Sequence, residues 1–248
     1  MRRASPAVTA WYDPRMICRF SAVMARRLLA CVFVLLGAGC TTQQVLMSAL
    51  VPDGAGSMLL SHLQSVEGGN RRRIIELEQQ GDWQGLAQFA ETNIAKDPYS
   101  TEWQMIGGYA HLQLRDYPRA ITYFSEMVRL SPDEASGYHF LAEAQRAAGR
   151  PQRAVTTLER ALLVVRESPL TYQLLGAVYA DLAQHRAAAE AYRRALAIDA
   201  RLAEAWFGLG RASLQLGRAE DAQEALRTLE QMQSPRGAQL RGLLEGKR

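Results

Sequence analysis

"RDYPRAITYFSEMVRLSP", residues 115–132, has relatives at a fixed distance on either side. GDWQGLAQFAETNIAKDP occupies 81–98 and GRPQRAVTTLERALLVVR occupies 149–166. QHRAAAEAYRRALAID follows at 184–199, and GRAEDAQEALRTLEQMQS at 217–234. Aligned, the five place Leu86, Ala120, Ala154, Ala188 and Ala222 at one position, each 34 residues after the last. Four such spacings with no insertion make an internal repeat. A period of this length denotes stacked units that bury their apolar faces on one another.

The units agree in chemistry as well as spacing. A small residue recurs as Gly108, Ala142, Gly176 and Gly210, and an aromatic residue precedes it as Trp103, Tyr138, Tyr172 and Trp206. A large residue follows in the second half as Phe124, Leu158, Tyr192 and Leu226. Small residues let two helices approach, and large ones fill the space beside them. Ala161 and Ala195 hold a later small position, from which Met127 and Leu229 depart. Pro98 and Pro132 close two units, where Arg166, Ala200 and Ser234 stand in the others. The stretch HRAAAEAYRRALAID is rich in strong helix formers. Gly149 and Gly217 fall where a left-handed residue ends a helix at little cost.

These residues resemble the tetratricopeptide repeat over 67–236. The resemblance implies an all-α fold: a right-handed superhelix, or α-solenoid, of about five helix-turn-helix repeats with a concave inner face. Their boundaries are 67–100, 101–134, 135–168, 169–202 and 203–236. The first is degenerate, with Ile74 in the small slot. The tail 237–248 follows a Ser-Pro helix start, and SPRGAQLRGLLEGKR predicts a short capping helix.

Ahead of the repeats, MARRLLACVFVLLGAGCTTQQ (24–44) has the layout of a secretory leader: a basic start, an apolar core and small residues. Leu28 to Gly39 is too short to cross a hydrocarbon core about 30 Å thick as a helix. The segment resembles a bacterial lipoprotein signal, with Leu36-Gly37-Ala38-Gly39-Cys40 at the cleavage site and Gly37 where that family most often has leucine. It implies a signal peptide over 1–39, translation from Met24, and lipid on Cys40. Thr41 in place of aspartate implies the outer membrane, facing the periplasm. Residues 40–66 read as a lipidated tether followed by one helix.

The formal charge of +4 belongs to the leader. Residues 1–39 hold six arginines and one aspartate, leaving 23 basic and 24 acidic residues from Cys40 onward. A near-neutral chain whose one basic run is Arg71-Arg72-Arg73 is not built for nucleic acid. Cys40 is the single cysteine outside the leader, so no intrachain disulfide is expected. His62, His111, His139 and His185 form no metal-binding pattern and read as helix-surface or half-buried residues. Neither a GxSxG turn, a phosphate-cradling glycine loop nor a CxxC pair is present. The chain reads as a non-enzyme that needs no cofactor or metal.

In the resembled family the first helix of each hairpin lines the concave face and meets a protein or peptide ligand. Carried over, the facing positions are Glu102, Met105, Tyr109 and Leu112; then His139, Glu143 and Arg146; then Gln173, Ala177 and Asp181; then Phe207, Arg211 and Leu214. Aromatic residues, methionine and arginine are enriched at interface hot spots. The lysines and asparagines of the family's carboxylate clamp are absent. Size, leader and repeats together resemble pilotin-type lipoproteins of type IV pili, which guide a secretin into the outer membrane. They also resemble adaptors for cell-wall hydrolases and scaffolds of exopolysaccharide secretion. A soluble cytoplasmic repeat protein and an enzyme subunit are the remaining alternatives.

Overall fold

The computed structural model describes residues 68–246; the leader, Cys40 and the segment 41–66 lie outside them. Among the described residues there are eleven α-helices and no strand. They come as five hairpins: α1 (Gly68–Gln80) with α2 (Trp83–Ile94), α3 (Thr101–Gln113) with α4 (Tyr117–Leu130), and α5 (Ala135–Ala147) with α6 (Pro151–Val164). The fourth is α7 (Pro169–Asp181) with α8 (His185–Ile198), and the fifth α9 (Ala203–Gln215) with α10 (Ala219–Gln231). The tail then adds α11 (Pro235–Glu245), packed on both helices of the fifth hairpin. Each hairpin packs on the next, giving an all-α solenoid.

Local chemistry sets the helix ends. Asp82, Ser100, Asp116, Ser168 and Ser234 each accept a hydrogen bond from a first-turn backbone N–H, the satisfaction an N-terminus needs. Pro118, Pro151, Pro169 and Pro235 occupy first-turn positions, where their missing N–H costs nothing.

The turn inside every hairpin is the same. Gly81, Arg115, Gly149, Ala183 and Gly217 all have φ between +56° and +72°, and they follow one another at the repeat spacing. Arg115 and Ala183 therefore adopt a left-handed conformation that strains any residue with a Cβ. Ala183→Gly is expected to stabilise the protein by about 0.5–1 kcal/mol, the relieved strain exceeding the entropy gained by the unfolded chain. Urea denaturation checks it, and a loss of stability would contradict the turn geometry.

Packing follows the small-to-large rule in two hairpins and departs from it in a third. A Cβ on Gly108 would lie 2.5 Å from the Phe124 ring, and one on Gly176 would lie 2.7 Å from the Tyr192 ring. Tyr192 also occupies the space over Gly208 of the next hairpin, so one ring spans α7 and α9. A Cβ on Gly210, however, would lie 2.5 Å from Leu240 of α11 rather than against Leu226, which is half-buried. Two of the recurring aromatics tie their hairpins to the linker before them. Tyr138 donates its hydroxyl proton to the Pro132 carbonyl at 3.0 Å, and the Trp206 indole N–H donates to Ala200 at 2.8 Å.

Two histidines are more deeply placed than their sequence context suggests. His111 is 3% exposed, stacked on Tyr123 with ring centres 5.4 Å apart. His139 is 6% exposed. His185 is half-buried at the start of α8, and His62 lies outside the described residues.

Candidate functional site

The first helices α3, α5, α7 and α9 carry the residues expected to face a ligand, and repetition brings equivalent positions into rows. Along one row stand Met105, His139, Gln173 and Phe207; along the next, Tyr109, Glu143, Ala177 and Arg211. Exposure rises along both. Met105 and His139 are buried while Gln173 and Phe207 are half-buried; Tyr109 is buried, Glu143 and Ala177 are half-buried, and Arg211 is exposed. Leu112, Arg146 and Leu214 are half-buried, as is Glu102, and Asp181 is exposed.

The N-terminal end of the face departs from expectation. The register of Met105, Tyr109 and His139 points them toward a ligand, yet the chain itself encloses them. The Tyr109 ring meets Trp83 edge-on at 5.8 Å, and its hydroxyl donates to Glu78 Oε1 at 3.2 Å. Burial pushes the Tyr109 phenol up, and the adjacent Glu78 carboxylate adds to the effect. Burial likewise raises the Glu78 carboxyl, against the lowering effect of the hydrogen bond from Tyr109. His139 Nε2 lies 2.7 Å from the Thr171 hydroxyl, which donates in turn to Ser168 Oγ at 2.8 Å. This buried chain links the third hairpin to the fourth, and burial lowers the His139 imidazole to about 4.

The middle of the face holds a charge cluster. Arg146 reaches both oxygens of Glu143, at 3.1 and 2.8 Å, and Asp181 of the next hairpin at 3.1 Å. Burial works to lower the Arg146 guanidinium, but the two carboxylates outweigh it and hold the group above its ordinary value. Two hairpins are thereby bridged by a fork that sequence spacing alone does not pair.

The C-terminal end is the open one. The Phe207 ring has the Arg211 guanidinium carbon 5.7 Å from its centre and that of Arg236 at 5.1 Å, both within cation–π range. Arg236, from α11, is fixed by Glu204 at 2.6 Å and by Gln239 at 2.8 Å. Arg211 also lines a cavity of about 270 Å³, with Leu214, Gln215 and Leu243 and with Gly242 and Gly246. No sequence signal marks Arg236 as part of the face, because SPRGAQLRGLLEGKR reads as a cap and not as a wall, and its partner Glu204 on α9 is hidden with it. The arrangement sets an aromatic ring beside two guanidinium groups, one of them held by Glu204 and Gln239, residue types enriched at interface hot spots.

Two family models described as tetratricopeptide repeat match the chain, over residues 107–171 and 179–244. No curated protein matches it in sequence. Solved structures share its fold. TTC0263, a thermophilic TPR protein of Thermus thermophilus, is 23% identical with a TM-score of 0.57, over 72% of this chain and 96% of that one. MamA (41-end) from Desulfovibrio magneticus RS-1 is 19% identical with a TM-score of 0.57, over 66% and 93%. PilW, a widely conserved type IV pilus biogenesis factor, is 17% identical with a TM-score of 0.59, over 68% and 78%.

Proposed function

We propose that this chain, which belongs to the tetratricopeptide-repeat family, is a non-catalytic scaffold that holds a segment of another cell-envelope protein on the open end of its first-helix face. The exposure gradient that ends at Phe207, Arg211 and Arg236 carries the reading. The closed end is committed to internal contacts, whereas the open end offers an aromatic anchor flanked by two guanidinium groups. Lipid on Cys40 tethers the scaffold to the outer membrane, facing the periplasm. Its pathway is type IV pilus assembly, with a secretin as the protein it helps to place. The fold shared with a pilus biogenesis factor supports that pathway.

A photo-reactive amino acid placed at Phe207 is expected to crosslink a secretin subunit in cells, while the same probe at Met105 captures none. A cell-wall hydrolase or polysaccharide-export component at Phe207 would keep the scaffold and replace the pathway. Equal capture at both positions would overturn the site. Cys40→Ser is expected to release the protein from the membrane fraction without changing its helical circular dichroism. Retention of that variant in membranes would remove the lipid anchor from the reading.

A further inference from the structure

The two helices of a hairpin run in opposite directions, so the turns inside hairpins share one long edge of the solenoid and the linkers between hairpins share the other. The two edges differ in charge. From the second hairpin to the fifth, the turn edge carries Arg115, Arg119, Arg150, Arg153, Arg186 and Arg218, all exposed. Arg119 is paired with Asp116 at 3.4 Å, and the other five make no ion pair among the described residues. The carboxylates nearby are mostly taken: Asp181 by Arg146, and Asp221 by Arg193 at 2.7 Å, leaving Glu220. The first hairpin carries no arginine at its turn, where Asp82 caps the second helix as Asp116 does in the second hairpin. The linker edge is the reverse, with Asp97, Asp133, Glu134, Glu167 and Asp199 against Lys96, Arg166 and Arg201.

Helix stability accounts for only part of the arginine edge. Arg119, Arg153 and Arg186 stand in the first turns of second helices, where the helix dipole disfavours positive charge, whereas Arg115, Arg150 and Arg218 also follow the C-termini of first helices, where it favours it. Arg150 and Arg218 occupy the N-cap positions of α6 and α10 and make no capping hydrogen bond with their side chains. Five exposed arginines left without an ion pair on one edge of a near-neutral chain are fitted to a partner that is anionic along that edge.

We propose that the turn edge rests on the phosphate headgroups of an anionic membrane leaflet. The arginines recur at successive hairpin turns, which matches a surface that offers phosphate at many points rather than one small ligand. A guanidinium binds phosphate oxygens bidentately, and each basic side chain within a Debye length of an anionic leaflet adds its own attraction. Leu114, 40% exposed beside Arg115, adds an apolar contact at the same edge. The contact requires neither a lipid on Cys40 nor the occupant of the first-helix face.

The full chain is tested against vesicles containing about 30% phosphatidylglycerol in phosphatidylcholine and against phosphatidylcholine alone. Amide exchange over 115–119, 148–153 and 216–219 is expected to slow on the anionic vesicles relative to the neutral ones, a comparison that still reads where a lipid or the leader attaches the chain to both. The variant Arg150→Glu, Arg153→Glu, Arg186→Glu, Arg218→Glu is expected to lose that protection and at least about tenfold of the preference for anionic vesicles. About 0.5 M salt is expected to do the same. Arg166→Glu with Arg201→Glu, on the opposite edge, is expected to leave both readouts unchanged. The fourfold variant should melt no lower than the parent, because glutamate suits a helix N-terminus, so lost binding is not lost folding. Equal protection on both vesicle types, or an equal loss in the linker-edge variant, would overturn the proposal. So would low-salt self-association abolished by reversing either edge, which would assign the arginines to the acidic edge of a second copy.

Discussion

Phe124→Ala is expected to cost about 3–5 kcal/mol of folding stability, the range for deleting a fully enclosed phenyl ring. The Phe124 side chain has no exposure, stacks on Phe140 with ring centres 5.3 Å apart, and fills the space above Gly108. It therefore holds α4 against α3 in its own hairpin and against α5 in the next. The small partner supplies the sharper test. Gly108→Ala puts a methyl group 2.5 Å from the ring and is expected to destabilise the parent by about 1–3 kcal/mol. In the Phe124→Ala background the same methyl group enters vacated space and is expected to add stability. Urea denaturation of the four proteins reads this change of sign directly. Equal costs in both backgrounds would show that the two positions are not complementary.

Acid is expected to weaken the joint between the third and fourth hairpins. The buried His139 ring titrates at about 4, below the ordinary histidine value, because burial disfavours its charged form. In the unfolded chain the imidazole takes its proton near pH 6.5. Between those two values the unfolded state binds the proton first, so stability falls as pH is lowered from about 6.5 to about 4 and is complete above that window. The full effect is about 3 kcal/mol at 1.36 kcal/mol per pKa unit. Glu78 acts oppositely in the carboxylate range, because a raised folded value favours the folded state as acid is added. The informative quantity is thus the difference between the parent and His139→Asn, measured as melting temperature against pH. The two curves should converge in acid and separate above about pH 6.5, the parent lying higher. Parallel curves would mean that His139 is not held neutral.

The solenoid is legible in the sequence because its determinants are local and repeated. Gly108 with Phe124, and Gly176 with Tyr192, lie within one hairpin, and a fixed period brings each pair into register. Contacts between hairpins are less legible. Glu78 meets Tyr109 and His139 meets Thr171 at separations near one repeat, but nothing in either residue alone says that the pair is enclosed. Leu240 displaces Leu226 as the partner of Gly210 because α11 packs on both helices of the fifth hairpin. The same packing brings Arg236 to Phe207. Arg115 and Ala183 hide their left-handed turns because neither is glycine, so the regularity at 81, 115, 149, 183 and 217 shows only in the backbone.

That regularity makes the hairpins interchangeable links. A segment of 34 residues removed between two such turns joins equivalent points of the backbone, so the flanking hairpins meet in the same register as before. Duplication or loss of that segment changes how many hairpins there are without asking any of them to refold, and unequal recombination between the similar stretches supplies both events. Lineages of this protein are therefore expected to differ in length by whole hairpins more readily than by a few residues.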